Sequence, residues 1–225
     1  MSSEHRELGS SLFGSEPWQP VRARATIAMV GIALAMVGDV VDLVVTWRVV
    51  DGYERYLAGT VSWPELVAST DFVTALNWPL VTVDLVAGIA FLMWMWRAYN
   101  NAKFFGGAAS QRLTQGWVVF GWMLPVVNFW FPYRMMSDIW RASPPVRLTR
   151  TAPILGIWWA AYLGATVIGL VLRFYREPDI DDLGTYLSLS VAGTVLSCAA
   201  GVLIYLIINQ ITVWQNEARD PDIGR

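Results

Sequence analysis

Asp39, Asp42 and Asp84 are the ionisable residues that fall well inside the long apolar stretches of this sequence. An aspartate near the centre of a bilayer costs about 2.5–3.5 kcal/mol on insertion scales, so each needs something to offset it. Two carboxylates held close together resist ionising together, and such a pair can hold a proton or a cation between them. Asp39 and Asp84 fall at similar depths in their helices and could face each other. This is the chemistry of a proton- or cation-handling protein. A plainer role competes with it: each acid stays neutral, or bonds to Thr46, Thr82, Asn77 or a buried water, and orients the helices. The plainer role is preferred for the pair.

A second set is aromatic and amide-rich: Arg97, Asn100, Asn101, Trp122, Pro125, Asn128, Pro132 and Trp140. These residues are candidates for contact with a partner helix or a lipid headgroup, although tryptophan belts and amide caps are also ordinary membrane anchors. Asp179, Asp181, Asp182 and Gly184 resemble the start of a calcium loop, but Leu183 and Ser190 occupy positions where that loop needs ligands. The one cysteine, Cys198, cannot pair within the chain, and the one histidine, His5, lies in a polar tail. No nucleophile, base and acid form a set, and neither a glycine-rich phosphate loop nor a serine elbow is present. The expectation is a protein that is not an enzyme and uses no cofactor and no metal.

The elements that position these residues are set by composition. With 55% hydrophobic and 15% charged residues and a mean hydropathy of +0.43, the chain suits a membrane rather than a soluble surface. A sequence pI near 5.4 and the lack of a lysine or arginine run argue against nucleic-acid binding. Residues 1–24 read as a flexible cytoplasmic tail in which Leu12, Phe13 and Trp18 could touch the membrane, 25–215 as a helical membrane domain, and 216–225 as a cytoplasmic C-terminal tail. The first helix is predicted over Ala25 to Trp47, with Gly31, Ala35 and Gly38 sharing the face of Asp39 and Asp42, which marks that face as turned toward other helices. Arg48 to Thr70 reads as an extracytoplasmic loop containing a short surface helix started by a capping box at Ser62 to Glu65. The second helix begins near Asp71 to Leu76, tolerates Pro79, and runs to Phe105, where Gly106-Gly107 ends it.

The run from Trp117 to Phe131 allows two readings, because fifteen residues interrupted by Pro125 and Asn128 are short for a span and long for a loop. A crossing would divide the lysines and arginines evenly between the two sides. A return gathers most of them inside, as the positive-inside rule favours. A re-entrant or interfacial hairpin is therefore preferred, and a kinked fifth span is the alternative. Tyr133 to Ala142 reads as an amphipathic interfacial helix with Asp138 paired to Arg134 and Arg141, followed by anchors at Arg147 and Arg150. Pro153 to Leu172 and Thr185 to Ile208 carry rows of small residues, Gly156, Ala160, Gly164 and Gly193, Ser197, Gly201, suited to close packing around an acidic outer turn. A weak internal repeat sets Tyr99-Asn100-Asn101 beside Trp214-Gln215-Asn216. The fold class is thus all-α: four transmembrane helices in two hairpins plus a central re-entrant or interfacial segment.

Trp96-Arg97-Ala98, Asn101-Ala102, the block Gly121-Trp122-Met123-Leu124-Pro125-Val126-Val127-Asn128-Phe129-Trp130-Phe131-Pro132-Tyr133, and Ile139-Trp140-Arg141-Ala142-Ser143 together resemble the bacterial membrane family of domain of unknown function 4328. The resemblance covers roughly residues 72–217, and its specific part is confined to 96–143. It implies a multi-helix, mainly actinobacterial membrane protein, and it brings no established activity and no catalytic residues. Phe131 stands where a polar or basic residue is more typical.

The functional expectation is a non-enzymatic interaction or scaffold component of the cytoplasmic membrane, multi-pass, with both termini cytoplasmic. Its partners would be the lipid bilayer and either a second copy, forming a homodimer, or another membrane protein, with no nucleic acid. The alternative is a small proton- or cation-coupled transporter or channel that uses the intramembrane carboxylates.

Overall fold

A computed structural model describes residues 18–144, 152–174 and 182–218. The expectations placed on Leu12 and Phe13, Arg147 and Arg150, the acidic turn at 177–181 and the tail from 219 lie outside those residues. All regular structure among the described residues is helical: α1 (Arg22–Leu57), α2 (Trp63–Gly106), α3 (Trp117–Met123), α4 (Phe131–Ala142), α5 (Pro153–Phe174) and α6 (Leu183–Glu217), with single 3-10 turns at Ala108–Ser110 and Val127–Phe129. Within α1, α2, α5 and α6 lie the four segments long and apolar enough to cross a membrane.

Two of these helices are longer, at the ends that meet in the α1–α2 turn, than the sequence suggested. α1 continues ten residues past Trp47, and the predicted surface helix at Trp63 is the first part of α2, so the expected loop shrinks to a tight turn at 58–62. Helix propagation explains the difference. Asp51, Glu54 and Arg55 interrupt the apolar pattern but not the backbone ladder, and solvated charges at helical spacing sustain a helix outside the bilayer. The turn itself uses Gly59 at φ 69°, a left-handed conformation that glycine adopts without strain. The capping arm is as predicted: the Ser62 backbone N–H and hydroxyl both donate to Glu65 Oε2 at 2.8 Å.

The chain divides into two compact units. The first comprises Thr26–Phe91 and Pro153–Ile208. In it α1 and α2 run antiparallel at close range: a Cβ at Gly31 would lie 3.0 Å from the Ala87 Cα, and one at Gly38 would lie 3.4 Å from Leu80. Moving seven residues along α1 moves the partner seven residues back along α2, the register of a hairpin. α5 and α6 form the second hairpin, with Gly164 against Leu196 and Gly193 against Ile168. Gly201 packs on Met36, which sets α6 against α1. The rows of small residues at Gly31, Gly38, Gly193 and Gly201 thus serve backbone approach, as their spacing implied. Ile27, Leu34, Val37, Val44, Leu85 and Val195 stay exposed, as side chains facing lipid do.

Among the described residues the second unit comprises 18–25, 92–144, 152 and 209–218. Its core is the end of α2 from Trp94, the buried face of α4 and the last turns of α6. α4 is amphipathic as expected, with Arg134 and Arg141 exposed, but its buried face is broader than the pattern suggested: Met135, Met136, Ser137, Asp138, Ile139 and Trp140 are all buried. Past Ile208, the expected end of the last helix, α6 continues, and Ile211, Thr212 and Gln215 extend the buried face of Ile204, Ile207 and Ile208 at helical spacing. The 117–131 run folds back on itself. Trp117 meets Phe131 edge to face at 4.7 Å, and a Cβ at Gly121 would touch Phe131 at 3.3 Å. A seven-residue helix is only about 10 Å long at 1.5 Å per residue, far short of a span.

Candidate functional site

The carboxylates belong to the first unit. Asp39 and Asp42 line a cleft of about 500 Å³ bounded by α1, α5 and α6, and its other polar groups are the hydroxyls of Thr46, Tyr162, Thr166, Tyr186, Ser190, Thr194 and Ser197. One contact fixes the geometry: Ser197 Oγ donates to Asp39 Oδ2 at 2.6 Å. Ser197 can come this close because it sits in the small-residue row of α6, one turn from Gly201, where α6 packs against α1. Asp42 lies one turn further along α1, within electrostatic reach of Asp39 and of Tyr186.

Asp84 is placed differently. It is not part of the cleft lining and its side chain is exposed, although both Asp39 and Asp42 lie within electrostatic reach of it. The hydroxyl bonded to Asp39 is thus on α6, whereas the sequence pointed to Thr46, Thr82 or Asn77. Thr82 instead donates back to the Trp78 carbonyl of its own helix at 2.8 Å. A residue on α6 could not be paired with Asp39 from periodicity, since the two are 158 positions apart.

The aromatic and amide set belongs to the second unit, and most of it is interior. Arg97, Asn100, Asn101, Pro132 and Trp140, expected to be lipid or partner contacts, are buried within this unit. Asn101 is held like a peptide group: it accepts from the Gln19 N–H at 3.3 Å and donates to the Gln19 carbonyl at 2.9 Å. Its amide also donates to Gln215 Oε1 at 3.2 Å, and Gln215 Nε2 donates to the Ala98 carbonyl at 3.0 Å and to Ser143 Oγ at 2.9 Å. Trp18 Nε1 donates to the Gln215 carbonyl at 3.0 Å, which docks residues 18–21 of the expected tail on this core. Trp94 donates to Thr212 at 3.1 Å, and Trp140 packs edge to face on Trp214 at 4.6 Å. The weak repeat sets Asn100 beside Gln215 and Asn101 beside Asn216, so the Asn101–Gln215 contact lies one position off its register.

Asp138 is the charge that sequence reasoning misassigned. It pairs with Arg112, whose Nε and Nη2 approach Oδ1 at 2.9 and 2.8 Å and whose backbone N–H donates to Oδ2 at 3.2 Å. Arg141 turns instead to Ser137 Oγ at 2.6 Å. Helical spacing offered two closer partners for Asp138, but its side chain points into the core where Arg134 and Arg141, both exposed, do not follow. Trp122 and Asn128 are partly buried in the 117–131 hairpin and Pro125 is exposed at its turn.

Residues 59–213 match the model of a family described as a domain of unknown function, DUF4328. The chain belongs to the DUF4328 family. The DUF4328 match starts at the Gly59 turn, so it takes in Asp84, Asn101 and the Arg112–Asp138 pair but leaves outside α1, with Asp39 and Asp42, and the Asn101 partners Gln19 and Gln215. No curated protein and no solved structure matches this DUF4328 chain.

Proposed function

We propose that this protein is a non-enzymatic, multi-pass protein of the cell membrane that takes a proton or a small cation into the cleft between α1, α5 and α6. The observation that carries the reading is the cleft itself, with two carboxylates and a ring of hydroxyls set inside helices whose outer faces are apolar. A purely structural acid needs a bond and no space, whereas Asp39 and Asp42 have about 500 Å³ in front of them. Hydroxyls and carboxylates together replace the hydration shell that a cation or proton carrier gives up on leaving water. Four spans put both termini on one side, and the lysine and arginine distribution favours the cytoplasm for that side and for the 117–131 hairpin.

Proton and monovalent-cation flux into loaded vesicles tests this. The parent protein should carry a flux that Asp39→Asn combined with Asp42→Asn removes, with the detergent elution profile unchanged. Equal flux in parent and variant, or none in the parent, overturns the reading. A scaffold or homodimer role is then the one to pursue, favoured by Gly88, Gly156 and Gly169, where an added Cβ meets nothing among the described residues.

A further inference from the structure

We propose that the 117–131 hairpin is a membrane-inserting wedge, whose tip enters the acyl region of one leaflet and returns to the side it came from. The occupant of its exposed surface is lipid. Phe120, Met123, Leu124, Val126, Phe129 and Trp130 are 57, 68, 45, 68, 52 and 41% exposed. A contiguous apolar patch of this kind marks a surface meant for an apolar partner. The sequence between Arg112 and Arg134 holds no charged residue, so no ionised side chain in the hairpin opposes transfer into hydrocarbon, and Asn128 is the one amide side chain within it.

Its backbone is suited to the same environment, where unpaired amides are costly. Leu124, Asn128, Phe129 and Trp130 donate to carbonyls within the hairpin, at 3.2, 2.9, 3.4 and 3.1 Å, and Pro125 has no N–H to satisfy. The limbs are locked at the base by the Trp117–Phe131 contact and by the close approach at Gly121, so the apolar tip is presented by a fixed fold. Exposed cations follow directly. Arg134 and Arg141 lie on α4, which starts where the hairpin ends, an arrangement that complements anionic headgroups. The same unit carries Met93 and Trp96 exposed at 55 and 40% on α2, a methionine and a tryptophan that also suit a bilayer edge. A water-soluble protein partner is disfavoured because the tip lacks the polar rim of such interfaces.

A nitroxide attached at Val126→Cys in a Cys198→Ser background, in vesicles of phosphatidylethanolamine and phosphatidylglycerol, reads the depth. Val37→Cys on the apolar face of α1 is the lipid control, and Ala109→Cys is the aqueous one. The label at 126 should collide with oxygen more than with a water-soluble nickel chelate, as at 37. The pattern of 109 would overturn the proposal by showing a tip in water. Shielding from both reagents would overturn it too, by showing a tip covered by protein such as a second copy. Met123→Cys provides the same reading from the other limb if the first variant fails to fold. Flux through the cleft plays no part in the measurement, so failure of that function would leave the wedge standing.

Discussion

Gln215 and Asn101 matter at the scale of single residues because their amides are fully buried and each is bonded at both ends. An apolar replacement strands the groups left behind, and a buried unsatisfied group costs about 1–3 kcal/mol. Gln215→Leu should therefore lower stability by about that amount, measured as a shift in thermal unfolding in mild detergent. The Arg112–Asp138 pair predicts an asymmetry. The Arg112 side chain is 52% exposed and that of Asp138 only 5%, so Arg112→Ala leaves a charge in the interior while Asp138→Asn leaves one in water. Arg112→Ala should be the more damaging of the two, though by less than the 3–5 kcal/mol of a fully buried pair because solvent screens the arginine. Equal unfolding temperatures for the two variants would sink this account.

Glycine rows decide packing at the scale of elements. A Cβ at Gly31 meets the Ala87 backbone at 3.0 Å, which cannot swing aside, whereas Gly88 faces open space. Gly31→Leu should force α1 from α2 at a cost of about 1–3 kcal/mol. Gly88→Ala should be neutral or gain up to about 1 kcal/mol from helix propensity. Unfolding of the two variants in detergent distinguishes them. The start of α2 carries a pH dependence. Bonds from the Ser62 backbone and hydroxyl hold the Glu65 carboxyl below its ordinary value of 4.5. A carboxylate with a lowered folded value stabilises above its unfolded value, and that contribution fades as pH falls through the folded one. Hydrogen-exchange protection in the first turn of α2, taken relative to the intrinsic rate at each pH, should thus fall on acidification below the ordinary glutamate range, and Glu65→Gln should flatten the response.

The number of spans governs the whole molecule. Four helices meet the length and hydropathy of a span, and the 117–131 run turns back. A reporter active only in the cytoplasm, fused after Arg225, should therefore give the same signal as one placed before Met1. Opposite signals would mean an odd number of crossings and would reverse the orientation of everything after Gly116.

The sequence by itself determined the membrane class, the four apolar helices, the family and the closely packed glycine rows, because hydrophobic length and small-residue spacing are local patterns that a bilayer reads directly. It also marked the Ser62–Glu65 cap, whose partners are three residues apart. Tertiary structure decided which of those patterns are interior. Asn101 and Trp140 look like interface anchors and are core, Asp138 looks solvated and is buried, and Gln215 lies past the expected end of the last helix and closes an amide network. The one signal available in advance was the continued helical spacing from Ile204 through Ile211 to Gln215. A polar side chain is placed by where its partner lies. The partners of Asp39, Asp138 and Gln215 are 158, 26 and 117 positions away, distances that only the packed helices bring to hydrogen-bonding range.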